Sequence, residues 1–298
     1  MSSKTNPPLG LSSLNPQSPN PQLLTSKNQE NPWVQPLLIT LSLSFLSLVL
    51  FLPLLGLLYE AFHLGFTPFL ETLQSPNFQS AVQLTVLLTA IAVPLNTLFG
   101  LCAAWVLARH RFPGRTLLLS IVDLPFAISP VVAGLMIVLL YGRNGWFNPL
   151  VQAWGWKIIF AVPGMAIATL FVTMPFVVRK VMPVLEDMGS DQEEAARTLG
   201  ASDWQIFWRV TLPHIRWGLL YGVLLTNARA MGEFGAVSVV SGSILGRTQT
   251  LPIFVEQAYK NYDTEAAFGS AVILALLALV TLVLKEILER KGAKRSIT

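Results

Sequence analysis

The chain has 298 residues, 53% hydrophobic and only 12% charged, with a mean hydropathy of +0.57. A soluble domain carries about 25% charged residues, so much of the solvating charge of a water-soluble enzyme is missing. The formal charge of +4 has too few polar faces to form a nucleic-acid-binding stripe. One cysteine, Cys102, excludes an intrachain disulfide framework and a cysteine-cluster metal site, which leaves an integral membrane protein.

The chain opens on residues 1–32, dense in Pro, Ser, Asn and Gln. Such a composition buries too little apolar surface to offset chain entropy, so it predicts a disordered cytoplasmic tail. It lacks the basic start and apolar stretch of a signal peptide.

Apolar runs follow at Leu37–Phe62, Val82–Ala108, Thr116–Leu140, Ile158–Val178, Trp217–Val240 and Ala266–Leu284. Each is near or above the ~20 residues that carry a helix across ~30 Å of hydrocarbon. The in/out alternation of a membrane β-barrel is absent. The expectation is an all-α integral membrane protein: six transmembrane helices over 33–290 and a basic cytoplasmic tail over 291–298. With both termini inside, 15 Lys and Arg fall on the inner side and 4 on the outer, and Arg229 is left within a helix. That bias sets the topology by the positive-inside rule. Pro94, Pro125, Pro130, Pro163 and Pro175 predict kinks. They either shape the bundle or, at Pro125 and Pro130, open backbone carbonyls toward a pathway.

The segment from Arg179 to Arg216 is expected to be a cytoplasmic loop. Ser190-Asp191-Gln192-Glu193 has the form of a capping box and starts a helix at Asp191, with acids in its first turn. Gly200 fits a left-handed stop, and Ser202-Asp203-Trp204-Gln205 repeats the capping signal for a second short helix, to about Thr211 before Pro213. Ala195 and Ala196 allow another backbone to come close. Trp204, Phe207 and Trp208 suit either a partner groove or the lipid headgroup level.

Arg229 and Glu233, near the middle of the fifth run, are one helical turn apart and can pair on one face. Charge at that depth costs at least ~2.5–3.5 kcal/mol, so it faces protein or water. The pair is either a structural tie or a place where Arg229 meets a passing dianion. Gly232 and Gly235 would let a second helix approach. Asp123, in the third run, either pairs with a base such as Arg115 or lines the inner mouth. No G-x-x-x-x-G-K-[ST] phosphate loop occurs, and His63, His110 and His214 form no ligand cluster, so the chain is not an enzyme acting alone.

Glu194-Ala195-Ala196, three residues, Gly200, nine residues and Val210-Thr211-Leu212-Pro213 resemble the EAA loop of permease subunits of ATP-binding-cassette importers, with Val210 where the family favours isoleucine. The resemblance implies a type I importer permease fold. It also implies coupling helices, over about 186–213, that dock into a groove on a cytoplasmic ATPase through Glu194, Ala195, Ala196, Gly200, Asp203, Val210, Leu212 and Pro213. Phe112-Pro113-Gly114-Arg115, the run Asp123–Gly134 and the run Thr226–Gly242 are similar to sulfate/thiosulfate permeases, and the last is closer to their W subunit than to the T subunit. Molybdate permeases share Arg229, Gly232, Glu233 and Gly235, so a molybdate or tungstate permease is the alternative; a gradient-driven anion transporter or a membrane scaffold is less well matched.

The implied partners are a paralogous T-type permease subunit, two ABC ATPases, a periplasmic sulfate/thiosulfate-binding protein and membrane lipid, with no nucleic acid. The chain itself needs no cofactor, because ATP and Mg would be held by the ATPase. The candidate anion pathway comprises Arg229, Glu233, Gly232, Gly235, Ser238, Ser241, Asp123 and Ser129. The location implied is the inner or plasma membrane of the cell, crossed several times.

Overall fold

A computed structural model of the chain describes residues 34–63 and 65–295. The expected tail over 1–32 lies outside the described residues, as does the end of the expected basic tail, 296–298. The chain divides into two compact units, residues 1–54 and 55–298.

The described part of the first unit is the leading portion of helix α1 (Val34–Phe62), rich in Leu and free of charge until Glu60. Its apolar side chains are bare on every face: Leu37, Phe45 and Leu52 are each more than 60% exposed. A helix apolar all round and this long belongs in hydrocarbon.

The second unit contains α2 (Phe66–Gln74), α3 (Pro76–Arg109), α4 (Arg115–Ala127), α5 (Pro130–Tyr141), α6 (Asn148–Ala153), α7 (Val162–Thr173) and α8 (Pro175–Met188). Then come α9 (Asp191–Thr198), α10 (Asp203–Ile206), a π-helical stretch (Phe207–Thr211), α11 (Leu212–Met231), α12 (Gly235–Ser241), α13 (Leu251–Lys260) and α14 (Thr264–Arg295). No strand occurs among the described residues. Helix α3 is the spine, roughly 50 Å long at 1.5 Å per residue. Near its start, Leu84 and Leu88 join Ile137, Met165, Val172, Val237 and Val240 in one apolar core. Near its end, Ala104 and Leu107 join Val122, Val177, Val181, Leu185 and Ile215 in a second.

Among the described residues, four helical spans are long and apolar enough to cross a membrane, or five if α4 and α5 count as one bent span. The expected third span, Thr116–Leu140, is therefore not a kinked rod: α4 and α5 meet at 111°. Pro125 is accommodated inside α4, and the break falls before Pro130. A proline drives the residue ahead of it out of the α region, and Ile128 and Ser129 both have extended backbone, with ψ of 134° and 135°.

The expected fifth span, Trp217–Val240, is also two pieces, because α11 ends at Met231 and α12 is a separate seven-residue helix. The Glu233 carboxylate accepts the Ala236 N–H at 2.9 Å, giving the new helix start the acceptor that a continuous helix would have supplied from its backbone. The two breaks interlock. A Cβ on Gly235 would stand 2.8 Å from Pro130 Cβ, and one on Gly134 would stand 2.7 Å from the Ala236 carbonyl oxygen. Gly232, expected to make a similar approach, is exposed, and the one atom near its missing Cβ is the Ala228 oxygen at 3.7 Å.

The fourth span breaks at Pro175 and is repaired from outside. The Met174 N–H turns to the Phe171 oxygen, leaving the Leu170 carbonyl free. Buried Asn96, on α3, donates to that carbonyl at 3.1 Å and to Thr173 Oγ1 at 2.7 Å. Beyond the break the helix continues to Met188, so Arg179 and Lys180 lie on a helix and not in a loop. The apolar positions Val177, Val178, Val181 and Leu185 hold it against the second core.

Candidate functional site

The loop segment that connects α8 to α11 begins at Gly189. Helix α9 starts at Asp191 as expected, but the first capping box does not form. Ser190 Oγ instead donates to Glu194 Oε1 at 2.6 Å, and Glu193 turns inward. Its Oε1 accepts from Arg109 Nη2 at 2.9 Å and from Thr211 Oγ1 at 2.8 Å, while Arg109 Nη1 donates to the Leu185 oxygen at 2.9 Å. Both charged side chains are almost buried, at 11% and 12% exposure. Glu193 has therefore left its cap for charge-assisted bonds that are stronger than one to a backbone N–H. The result ties α9 to the end of α3, the end of α8 and the π-helical stretch. Close by, Arg115 Nε donates to the Leu107 oxygen at 2.8 Å and Nη2 to Glu186 Oε1 at 2.7 Å.

Gly200 has φ of +87°, the left-handed stop that its sequence position demands. After it the second capping box forms in full, with Ser202 Oγ accepting the Gln205 N–H and Gln205 Oε1 accepting the Ser202 N–H. Arg197 Nη2 bonds Asp203 Oδ1 across the turn at 2.8 Å, and this bond, then the Asp203 charge, raises the guanidinium pKa above its ordinary value. The second helix does not stop before Pro213, contrary to expectation. The wide π turn from Phe207 to Thr211 precedes the proline, and the chain runs helically from Asp203 to Met231.

The outer side of this loop is bare. Glu194, Ala195, Gly200, Asp203 and Pro213 are exposed, while Ala196 and Val210 are half-buried. Leu212 packs against the second apolar core and so serves the bundle from this position. Leu199 is 88% exposed and Trp204 70% exposed, which leaves two large apolar side chains bare on this loop.

Two further ion pairs lie deeper. Arg229 Nη1 is 2.6 Å from Glu233 Oε2, with the glutamate only 1% exposed. The pair spans the end of α11 and the break, not the middle of a continuous helix. Asp123 pairs with Arg179 and not with Arg115: Arg179 Nε donates to Oδ1 at 2.6 Å and Nη2 donates to Oδ2. Among the other candidate residues, Ser238 Oγ bonds the Gly235 oxygen at 3.0 Å, Ser241 is buried, and Ser129 lies exposed at the bend before α5. The geometry thus joins Arg229, Glu233, Gly235 and Ser238 at one break and leaves Asp123 with a different partner.

Sequence reasoning missed Glu193, Arg109, Thr211 and Arg179 as site residues. For Arg179 a signal was present, because apolar positions at 177, 178, 181 and 185 continue the helical stripe past it. Glu193 gave none, because its partners lie 84 and 18 residues away.

Residues 96–294 match the family model described as binding-protein-dependent transport system inner membrane component. The sulfate transport system permease protein CysW of Synechocystis sp. is 73% identical over 87% of this chain and 94% of its own length. The sulfate transport system permease protein CysT of Escherichia coli K12 is 40% identical over 80% of this chain and 87% of its own. The crystal structure of a bacterial alginate ABC transporter, in complex with an alginate pentasaccharide-bound periplasmic protein, contains a chain that superposes with a TM-score of 0.74. That match covers 88% of this chain and 96% of the other at 18% identity, a likeness of fold alone.

Proposed function

The chain belongs to the family of binding-protein-dependent transport system inner membrane components, and on that premise we propose that it is the W-type permease subunit of an ATP-driven sulfate importer. It is a multi-pass protein of the cell membrane with the type I importer permease fold, and as a permease subunit it is not itself an enzyme. The sulfate assignment is supported by the 73% identity to a sulfate permease of W type against 40% to one of T type. The same contrast supports a paralogous T-type subunit as the second half of the pathway and a periplasmic sulfate/thiosulfate-binding protein as the donor of the anion.

The observation that carries the mechanism is the two-sided build of α9. Its inner face is fastened through Glu193 to α3, α8 and the π stretch, and its outer face, with Glu194 and Ala195 beside Leu199 and Trp204, is free. One of the two ABC ATPases, which bind the ATP and Mg, docks on that free face, and the other docks on the sister permease. When they close, α9 is displaced and pulls on the ends of α3 and α8 through Arg109, while the continuous helix from Asp203 carries the same motion into α11. The interlocked α5 and α12 then reorient, giving alternating access. Six spans with both termini in the cytoplasm complete the arrangement. The excess of Lys and Arg on one side supports this topology, with α11 and α12 together forming the fifth crossing.

The test is tracer uptake by the reconstituted complex in vesicles. Sulfate uptake that needs ATP, the ATPases and the binding protein is the expected result. Uptake driven by an ion gradient without ATP would overturn the ABC reading, and preference for molybdate would overturn the anion assignment.

A further inference from the structure

Helix α8 carries a stripe, Phe176, Arg179, Lys180 and Pro183, that is flanked on one side by α4 and on the other by α11. On the α4 side, Asp123 holds Arg179 and the Phe126 ring meets Phe176 edge-on at 5.3 Å. On the α11 side the backbones nearly touch, since a Cβ on Gly222 would lie 3.1 Å from Val177 Cα. There the Lys180 ammonium sits 4.7 Å from the Tyr221 ring centroid. Tyr221, Leu225 and Arg229 recur at i, i+4 and i+8, so Arg229 is two turns further along the same side of α11. Arg179 and Lys180 thus lie on α8, within a span long and apolar enough to cross a membrane, and Arg229 lies on the adjoining α11. A guanidinium 55% exposed on such a helix faces water or protein and not hydrocarbon.

The two arginines differ in how their carboxylates are committed. Glu233 is 1% exposed, and its other oxygen holds the Ala236 N–H that starts α12. Displacing it would strand a buried charge and unfasten a helix, so Arg229 is not free to exchange partners. Asp123 is 28% exposed. It grips the guanidinium fork with two oxygens, the arrangement that two oxygens of a tetrahedral dianion also present.

We infer that Arg179 is the anion-binding residue of this half-pathway and that Asp123 occupies it as an internal competitor, which a passing sulfate displaces and which reclaims the fork to release it. The inference rests on the sulfate-permease reading. It accounts for the otherwise costly pairing of a half-exposed arginine and aspartate within a membrane span: uncovered, the fork would hold a dianion too long for turnover.

The experiment measures tracer sulfate binding to the permease–ATPase complex in nanodiscs, without ATP or binding protein. Asp123→Asn should tighten binding about fivefold, the weight of one half-exposed ion pair. Arg179→Gln should weaken it about tenfold or more, Arg179→Lys should fall between, and the D123N/R179Q double variant should behave as R179Q. Binding unchanged in D123N and R179K would overturn the assignment. So would weaker binding in D123N together with lost thermal stability, which is how a simple strut between α4 and α8 would behave. A wild-type complex that takes up no sulfate in vesicles would overturn the functional reading itself, whereas normal wild-type uptake with unmoved variants overturns only the role of Arg179.

Discussion

The two faces of α9 are built from neighbouring residues of the same kind and do opposite things. Glu193 is nearly buried and joined to Arg109 and Thr211, while Glu194, the next residue, is exposed and accepts a bond from Ser190. Adjacent residues on a helix point about 100° apart, so one carboxylate can clamp the helix to the bundle while the next faces a partner. A lever needs both a fixed grip and a free end. In the proposed coupling, the E of the recognised motif is the free end and the acid before it supplies the grip.

Glu193→Ala should have the largest effect. It leaves Arg109 almost buried without its carboxylate, a loss of about 3 kcal/mol or more. The lowered melting temperature of the purified complex, with ATP hydrolysis no longer linked to sulfate uptake, would show the grip broken. Retained coupling would sink the lever.

Next comes the free end. Leu199→Ala together with Trp204→Ala should cost about 2 kcal/mol of ATPase association or more, as truncation of a central apolar anchor does. Permease stability should stay unchanged, because neither side chain packs in the bundle. Copurification of the ATPase and a titration of its affinity check this. A drop in permease stability without a drop in affinity would place those residues on the wrong side of the comparison.

Gly200→Val should fall between the faces, straining a φ of +87° by about 1–2 kcal/mol and misaligning the second capping box. Gly200→Asn, which tolerates the left-handed region, should recover most of the coupling.

The smallest effect belongs to Arg197→Ala, which removes an exposed bond to Asp203. Its melting temperature should match the wild type, since solvent and salt screen such pairs.

Much of this arrangement was legible in the sequence. The start of α9 at Asp191, the stop at Gly200 and the box at Ser202 and Gln205 are local, decided by residues within one turn of each other. The apolar runs marked the hydrophobic segments because helix length and hydrocarbon thickness are matched. What failed to show was where a run breaks. Pro125 and Pro130 look alike in sequence, yet α4 absorbs the first and ends ahead of the second, where Gly235 packs against Pro130. The break after Met231 was equally hidden, because the Glu233 carboxylate that starts α12 reads in sequence only as a partner for Arg229.

By itself, then, the sequence determined that this is a helical membrane protein, where its polar, capped segment lies and which family motif it carries. Composition, periodicity and caps act over a few residues and need no knowledge of the rest. The tertiary structure alone decided which acid anchors and which is offered, and which base holds Asp123. Those choices are made between side chains 56 to 84 residues apart, where burial selects among several partners that local pattern leaves equivalent.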